Sequence, residues 1–554
     1  MSNDTSIAYI LGEILFPEVK LTLRDYIKKV PKRVVSNNGV VTRFAPSPTG
    51  FMHLGSLFAA LIAERFAHTN NGVFYLRIED TDSKREVVNG ISMIVDSLTS
   101  FNIRVDEGVV GEDSEVGDFG PYKQSERKDL YAIFAKHLVS LGFAYPCFLT
   151  TEELEAIRVE QESTKQRPGI YGHWAKYRDI TPEISKQLLA SGKRFVIRLK
   201  SQGNSSNKYK YFDMIRGDIT VTENDIDYVL LKSDGLPTYH FAHLVDDYLM
   251  GTTHVIRAEE WLPSLPVHLE LFTAFGFIAP KYAHISQIMK LDSGGKRKLS
   301  KRKDPEANIE YYKKSGVPFE SVVEYLLNVA NSNFEDWRKS NPSVSYKDFP
   351  FTLSKISPSG ALFDLVKLDD VSKNFIGNLS TDEVYGRVLS WAEVYSLSIK
   401  EILTKDQEYS KSVLSIERGG DKSRKDLARW SQFKDLYGYF YDDLYLELLS
   451  TNTLSMSVVQ KSYLEKYADF LVSRTFSTKE DWFEATRDFA SSLGFSRDSK
   501  SYKLNPEVYV GSISDFTALI RYALTIKDRT PDLFEVIRVL GNDRAVSRLK
   551  NFGK

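Results

Sequence analysis

"VVTRFAPSPTGFMHLGSLFAALIAERFAHTNNGVFYLRIED", residues 40–80, changes its hydrophobic rhythm twice. "VVTRFAP" is a short apolar run that reads as a buried strand. "TGFMHLGSLFAALIAERFAHTN" reads as a Gly-led helix, and "GVFYLRIED" as a second strand. Strand, helix and strand in one short span make a βαβ unit of the doubly wound α/β kind, which binds ligands at the carboxyl edge of its sheet. At that edge Pro46 and Pro48 fix φ just past the strand, Gly50 permits a tight turn, and His53 and Gly55 stand at the start of the helix. A helix N-terminus offers unsatisfied amides and positive potential, so an anion suits this place. Neither GxGxxG nor GxxxxGK[ST] occurs, which excludes a dinucleotide fingerprint and a P-loop.

Outward from this unit, residues 1–39 read as a short helical extension ending at the "SNNG" turn. Residues 121–238 change to helices and then to β-type runs, "KRFVIRLK" and "DITVTENDIDYVLLKSDG", separated by the polar turn "SQGNSSNK"; they read as an inserted α+β domain. "YHFAHLVDDYLMGTTHVIRAEEWLPS", from Tyr239, returns to helix and strand and completes the interrupted sheet. The chain beyond about 378 is a series of amphipathic helical segments.

The 554 residues suffice for several domains, and 42 % hydrophobic with 12 % aromatic residues is enough to pack them. Lys plus Arg number 73 against 74 Asp plus Glu, a formal charge of -1, so a polyanion must be met by a local patch. Cys147 is the single cysteine, which excludes intrachain disulfides and multi-cysteine zinc clusters and fits a reducing, cytoplasmic home. No run spans a bilayer, and Asp4, Glu13, Glu18 and Asp25 speak against a mitochondrial presequence, so no membrane partner is expected.

The local patch is "KRKLSKRKD": six of the eight positions from Lys296 to Lys303 are basic, after the loop-like "LDSGG". A solvated loop or a localisation signal is the bland reading, and an anion the sharper one. His240, His243 and Asp247 fall on one helical face and resemble a metal site, but no second ligand cluster accompanies them. No metal and no zinc are expected there, and Asp246 and Asp247 are expected to cap or pair. "RGD" at Arg216–Asp218 reads as a hairpin turn.

"RFAPSPTGFMHLGS" resembles the first signature of class I aminoacyl-tRNA synthetases in the glutamyl form, with Ser56 departing from its final histidine, and "KLSKR" resembles the second. "RIEDTD", "PYKQSER", "DGLPTYHFAHLVDDYLMGTTHVIRAEEWLPS" and, near the end, "RYALTIKDRTPDLFEVIRVLG" are similar to the same family. The resemblance implies a Rossmann-like catalytic domain over 41–120 and 239–297, with the insertion at 121–238 holding the tRNA acceptor end. It further implies a stem-contact region at 298–378 with the KLSKR loop, and all-α anticodon-binding domains over 379–554. The chain is identified as a member that joins L-glutamate to tRNA with ATP and Mg²⁺, acting as a monomer. A non-discriminating form that also charges glutamine tRNA is the close alternative, and an inactive tRNA-binding homologue the distant one.

By the same resemblance Pro46, Gly50, His53 and Gly55 hold ATP. Lys298 and Lys301 match the catalytic loop, Lys301 contacting the phosphates and Ser300 shaping the loop, while Gly294 and Gly295 suggest a hinge. Arg43 takes the glutamate side-chain carboxylate with Ser47 beside it, and Glu79 holds the ammonium. Tyr239, Arg257 and Trp261 complete the pocket, Arg257 at the α-carboxylate, and His243 stands where other members carry a different polar residue. "SIERGGDKSRKDLARW" contributes Arg418, Lys422, Arg424, Lys425 and Arg429 to the anticodon helices, with Arg424 the candidate reader.

Overall fold

A computed structural model describes residues 3–36, 39–82, 86–300, 302–420, 423–452 and 456–552. The chain forms two units, Met1–Tyr311 with Val323–Asp364 and Tyr312–Val322 with Leu365–Lys554. No helix of the described residues is long and apolar enough to cross a membrane.

The first unit opens with helices α1 (Asn3–Leu15) and α2 (Leu23–Ile27), then strand β1 (Val41–Phe44), α3 (Leu54–Thr69), β2 (Val73–Leu76), α4 (Gly90–Ser100), β3 (Glu107–Gly111) and β4 (Ser114–Val116). β1, β2 and β3 are parallel, with Arg43 opposite Tyr75 and Tyr75 opposite Glu107, and β4 turns back on β3. The helix after β1 starts at Leu54 and not at the Thr49–Gly50 turn. The prolines and a Gly50 φ of 122° hold that turn out of helical geometry. His53 is the N-cap, its Nδ1 accepting the Ser56 N–H at 3.1 Å. Leu57, Phe58, Leu61 and Ile62 then bury α3 on the sheet.

The inserted segment supplies α5 (Lys128–Ser140), β5 (Ala144–Cys147), α6 (Thr151–Ser163), α7 (Pro182–Ala190), β6 (Val196–Leu199), β7 (Lys208–Asp213), β8 (Gly217–Thr222) and β9 (Val229–Leu231). β5, β6 and β9 form one antiparallel sheet, and β7 and β8 a separate hairpin in which Arg216 of the RGD tripeptide ends the turn while Gly217 and Asp218 begin β8. "KYKYFD" of β7 alternates in exposure as a half-buried strand should, with Tyr209 and Tyr211 packed against Val255, Leu265 and Tyr282. Cys147 is a free, buried thiol.

The chain returns through α8 (Tyr239–Leu249), β10 (His254–Ala258), α9 (Leu265–Phe275) and β11 (Lys281–Ile285). β10 and β11 are parallel. Thr253 joins them to the open side of β1: its N–H donates to the Val41 carbonyl at 3.0 Å and its hydroxyl accepts the Val41 N–H at 2.8 Å. The strand order therefore reverses between β1 and β10, the switch point at which doubly wound sheets bind ligands.

The first half of the basic run is a strand and not a loop. β12 (Ile288–Asp292) and β13 (Gly295–Lys298) form an antiparallel hairpin, with β14 (Ala361–Phe363) on the far side of β12. Of the two glycines expected to be a hinge, Gly294 makes the turn with Ser293, and Gly295 opens β13 at a φ of 111° that favours glycine. The N-terminal extension is packed into this unit: Leu11, Leu15 and Phe16 share a core with Tyr131 and Phe134 of α5. Arg33 grips both Glu107 oxygens at 2.9 and 2.8 Å.

At the last turn of α3, His68 Nδ1 lies 2.9 Å from Glu64 and Nε2 2.7 Å from Asp106. Burial alone would lower its pKa, but the two carboxylates outweigh burial and raise it above the ordinary 6.5; the nearby Arg65 is itself neutralised by Glu64. A raised histidine stabilises fully below the unfolded value and loses that contribution as pH climbs through the folded one. The stability gap between the wild type and His68→Gln should therefore be wider at pH 6 than at pH 9, by on the order of 1 kcal/mol. Urea titration at both pH values measures it; an equal gap would mean that no raised titration exists.

Among the described residues of the second unit no strand is formed, and helices from Leu365–Gly377 to Asn542–Asn551 surround a core that includes Val388, Phe433, Tyr467 and Phe516. The unit takes in the Leu365–Gly377 helix, ahead of the boundary expected near 378, because two ties bind that helix to it. Ser372 donates to the Ala428 carbonyl at 2.5 Å, and Arg429 reaches both Asp369 oxygens.

Candidate active site

The carboxyl ends of β1 and β10 open on a cavity of about 860 Å³, within the range of small-molecule sites. Sequence segments far apart in the chain meet on its wall. Arg43, next to last in β1, is followed by Pro46, Ser47 and Gly50; His53 and Gly55 begin α3; Glu79 follows β2. Tyr239 opens α8, Arg257 and Trp261 lie on and beyond β10, and Lys298 and Ser300 come from the basic run. A Cβ at Gly55 would sit 3.1 Å from the His53 ring, so glycine lets the imidazole lie against the helix start. With Nδ1 accepting from the Ser56 amide, Nε2 carries the proton and meets the Ser56 hydroxyl at 3.0 Å. The serine that departs from the signature thus serves as a partner for His53.

Behind Arg43 lies a charge cluster. Its Nε is 3.2 and 3.3 Å from the two oxygens of Asp247, which is also 2.7 Å from Arg77 and 3.0 Å from His243 Nδ1. Burial would raise the Asp247 carboxyl, but Arg43 and Arg77 outweigh it and hold the group well below the usual carboxylate range. Asp246 is paired in turn with Arg127 at 2.8 Å, Gln124 at 2.8 Å and Tyr131 at 2.9 Å. Both aspartates pair, as their sequence suggested. Among the described residues no group of three or more His, Cys, Asp or Glu side chains is arranged to hold a metal ion.

Glu79 differs. Burial pushes its carboxyl up to about 7 against the pull of Arg77 and Arg43, so a cation arriving beside it would draw it into the ionised form. His243 is not on the cavity wall. It is fully buried one layer back, with Nε2 2.9 Å from the Tyr282 hydroxyl, and burial lowers its pKa to about 3, so it is neutral. Tyr239 lies against Trp261, the rings tilted by 37° with centroids 4.3 Å apart, and its hydroxyl accepts from Arg257 at 3.2 Å.

The basic run is less free than its charge suggests. Arg297 donates to both Asp304 oxygens at 2.6 and 2.8 Å and to Asp292 at 2.8 Å. Lys290 also reaches Asp304 and Glu306, and Lys298 lies 3.0 Å from Glu260. Asp304 further accepts the Ser300 N–H at 2.9 Å, and these bonds hold its carboxyl well below the usual range. Reading the sequence for positive charge overlooked Asp304; the signal available was the single acid that closes the run. Lys301 lies outside the described residues.

In the second unit, Arg424 is bonded to Asp426 and is 3.5 Å from Glu417. Arg418 donates to the Leu414 and Ile376 carbonyls. With Arg429 held by Asp369, much of the basic stretch is engaged within its own unit; Lys422 lies outside the described residues.

Residues 39–338 match the family of tRNA synthetases class I (E and Q), catalytic domain. Over 550 residues the chain is 46% identical to a glutamate–tRNA ligase of Clostridium perfringens, covering 98% of this chain and 99% of that one. It is 43% identical to a glutamate–tRNA ligase of Sorangium cellulosum, covering 97% and 100% of the two chains. Among solved structures it is similar to a glutamate tRNA ligase from Elizabethkingia meningosepticum in complex with its amino acid, with a TM-score of 0.74, 27% identity and coverage of 92% and 98%.

Proposed function

The chain belongs to the class I tRNA synthetases of the E and Q type, and on that premise we propose that it is a glutamate–tRNA ligase. Glutamate and ATP give glutamyl adenylate and pyrophosphate. A terminal ribose hydroxyl of the tRNA then attacks the acyl carbon and releases AMP. The observation that carries the reading is the convergence of two cationic side chains, Arg43 and Arg257, and one half-buried acid, Glu79, on a cavity shared with the His53 helix start and the basic hairpin.

Arg43 faces the side-chain carboxylate with Ser47 beside it, and its pairing with Asp247 aims it. Glu79 takes the ammonium, whose charge ionises it, and Arg257 takes the α-carboxylate between Tyr239 and Trp261. His243, behind the wall, supports Asp247 and acts on glutamate only through it. Pro46, Gly50, His53 and Gly55 border the triphosphate, and Lys298, Ser300 and Lys301 meet the charge that grows on the α-phosphate and pyrophosphate in the transition state. Mg²⁺ enters as the counter-ion of ATP and supplies further charge neutralisation there. The insertion at 121–238 holds the acceptor end, 298–378 the stem, and the helices of 379–554 the anticodon, with Arg424 the candidate reader. The protein acts as a cytoplasmic monomer.

Exchange of radiolabelled pyrophosphate into ATP, with and without tRNA, tests this reading. Exchange that depends on glutamate and is absent with glutamine is expected. No exchange with glutamate and tRNA together would overturn it.

A further inference from the structure

Arg257 reaches the cavity with one nitrogen uncommitted: its second terminal nitrogen is buried and has no hydrogen-bond partner among the described residues. The other nitrogens are engaged. Nε lies 3.0 Å from His284 Nε2, and the first terminal nitrogen lies 3.0 Å from His268 Nδ1 as well as near the Tyr239 hydroxyl. A guanidinium can only donate, so each imidazole nitrogen that faces it must accept. For His284 this places the ring proton on Nδ1, which meets Asp213 Oδ2 at 2.6 Å.

Asp213 and His284 are both fully buried, and Asp213 comes from the inserted segment, at the end of β7. Its Oδ1 accepts the N–H groups of Ile215 and Arg216 at 3.0 Å each, and its Oδ2 accepts the His284 N–H at 3.2 Å. The hairpin is further stitched to β11 and its continuation by Met214 N–H to the Tyr282 carbonyl at 2.9 Å and by Arg216 to Ser286 at 2.7 Å. The carboxylate thus has no slack. If His284 carried its proton on Nε2, two donors would face each other across 3.0 Å and Arg257 would have to turn away.

We propose that Asp213 is a positioning residue for amino-acid recognition: it fixes His284 as an acceptor and thereby holds the uncommitted nitrogen of Arg257 toward the α-carboxylate of glutamate. The inserted segment then takes part in selecting the amino acid. This inference rests on the reading of Arg257 given above. His284 itself does not line the cavity, so its action passes through Arg257.

Asp213→Asn tests it sharply. The asparagine oxygen would stay with the Ile215 and Arg216 amides, which leaves its NH₂ facing His284 and drives the imidazole proton to the wrong nitrogen. Orienting partners of this kind are worth about 10–100-fold around metal ligands, and by that analogy the KM for glutamate should rise about tenfold. The KM for ATP should stay near that of the wild type. Pyrophosphate exchange on the full chain with tRNA present measures both. In an Arg257→Gln background, Asp213→Asn should add almost nothing. His284→Gln, whose amide offers an acceptor to Arg257 and a donor to Asp213, should retain most of the glutamate affinity that His284→Phe loses, and this pair decides the matter if Asp213→Asn does not fold. An unchanged glutamate KM, equal rises for both substrates, full additivity with Arg257→Gln, or equal behaviour of the two His284 variants would overturn the proposal while leaving the ligase reading intact. An Arg257→Gln variant with unaltered glutamate KM would overturn the role of Arg257 and this proposal with it, and wild type without glutamate-dependent exchange would overturn the ligase reading as well.

Discussion

Arg43→Ala is expected to raise the KM for glutamate by about 2–5 kcal/mol in equivalent free energy, the cost of truncating one partner of a buried, hydrogen-bonded charge pair. At about 1.4 kcal/mol per tenfold this is a rise of at least an order of magnitude, and the KM for ATP should barely move. Two features make the expectation specific. Arg43 is 5% exposed, so water cannot replace it as the partner of a bound carboxylate. Asp247 keeps Arg77 at 2.7 Å and His243 at 3.0 Å when Arg43 is gone, so the internal charge cluster remains compensated and the fold should survive. Steady-state exchange kinetics with either substrate varied provides the measurement. Equal losses for glutamate and ATP would assign Arg43 to the fold instead.

Lys301→Ala should slow adenylation by about 10²–10³-fold in kcat, about 2.7–4 kcal/mol, while tRNA affinity stays nearly unchanged. Such a contact strengthens as charge moves to the α-phosphate and pyrophosphate, so it lowers kcat more than it raises KM. The surrounding cations make poor substitutes. Arg297 is divided between Asp292 and Asp304, Lys290 between Asp304 and Glu306, and Lys298 meets Glu260. Each would have to leave an acid before it could meet a phosphate. Near-wild-type exchange in the variant would remove the phosphate role from the basic run.

The βαβ unit of residues 40–80 was legible because hydrophobic rhythm is a local property: a strand buried on both faces needs a short apolar run, and its crossover helix needs a period near 3.6. The β8 run and the helical C-terminal part were legible for the same reason, whereas β7, between the polar turn and β8, went unread; the ligand edge was legible because prolines and glycines constrain the backbone where they stand. Element boundaries were less so. Whether α3 begins at Gly50 or Leu54 depends on a cap bond between His53 and Ser56, and the basic run became half a strand because Lys290 and Arg297 could pair across a hairpin and meet Asp304.

What sequence alone determined, then, is the βαβ core, the place of its ligand edge, and the charged residue types assembled there. Tertiary structure decided which charge meets which. Arg43 finds Asp247 204 positions away, and Asp213 finds His284 71 positions away. Composition supplies nearly equal numbers of both signs, and any acid can pair with any base in water at little gain. Only when folding removes the water does one pairing become far better than the rest, because a buried charge without its partner is too costly to keep. That selection placed Arg43 on the cavity wall and His243 behind it, although both belong to segments that the sequence brings to the same edge.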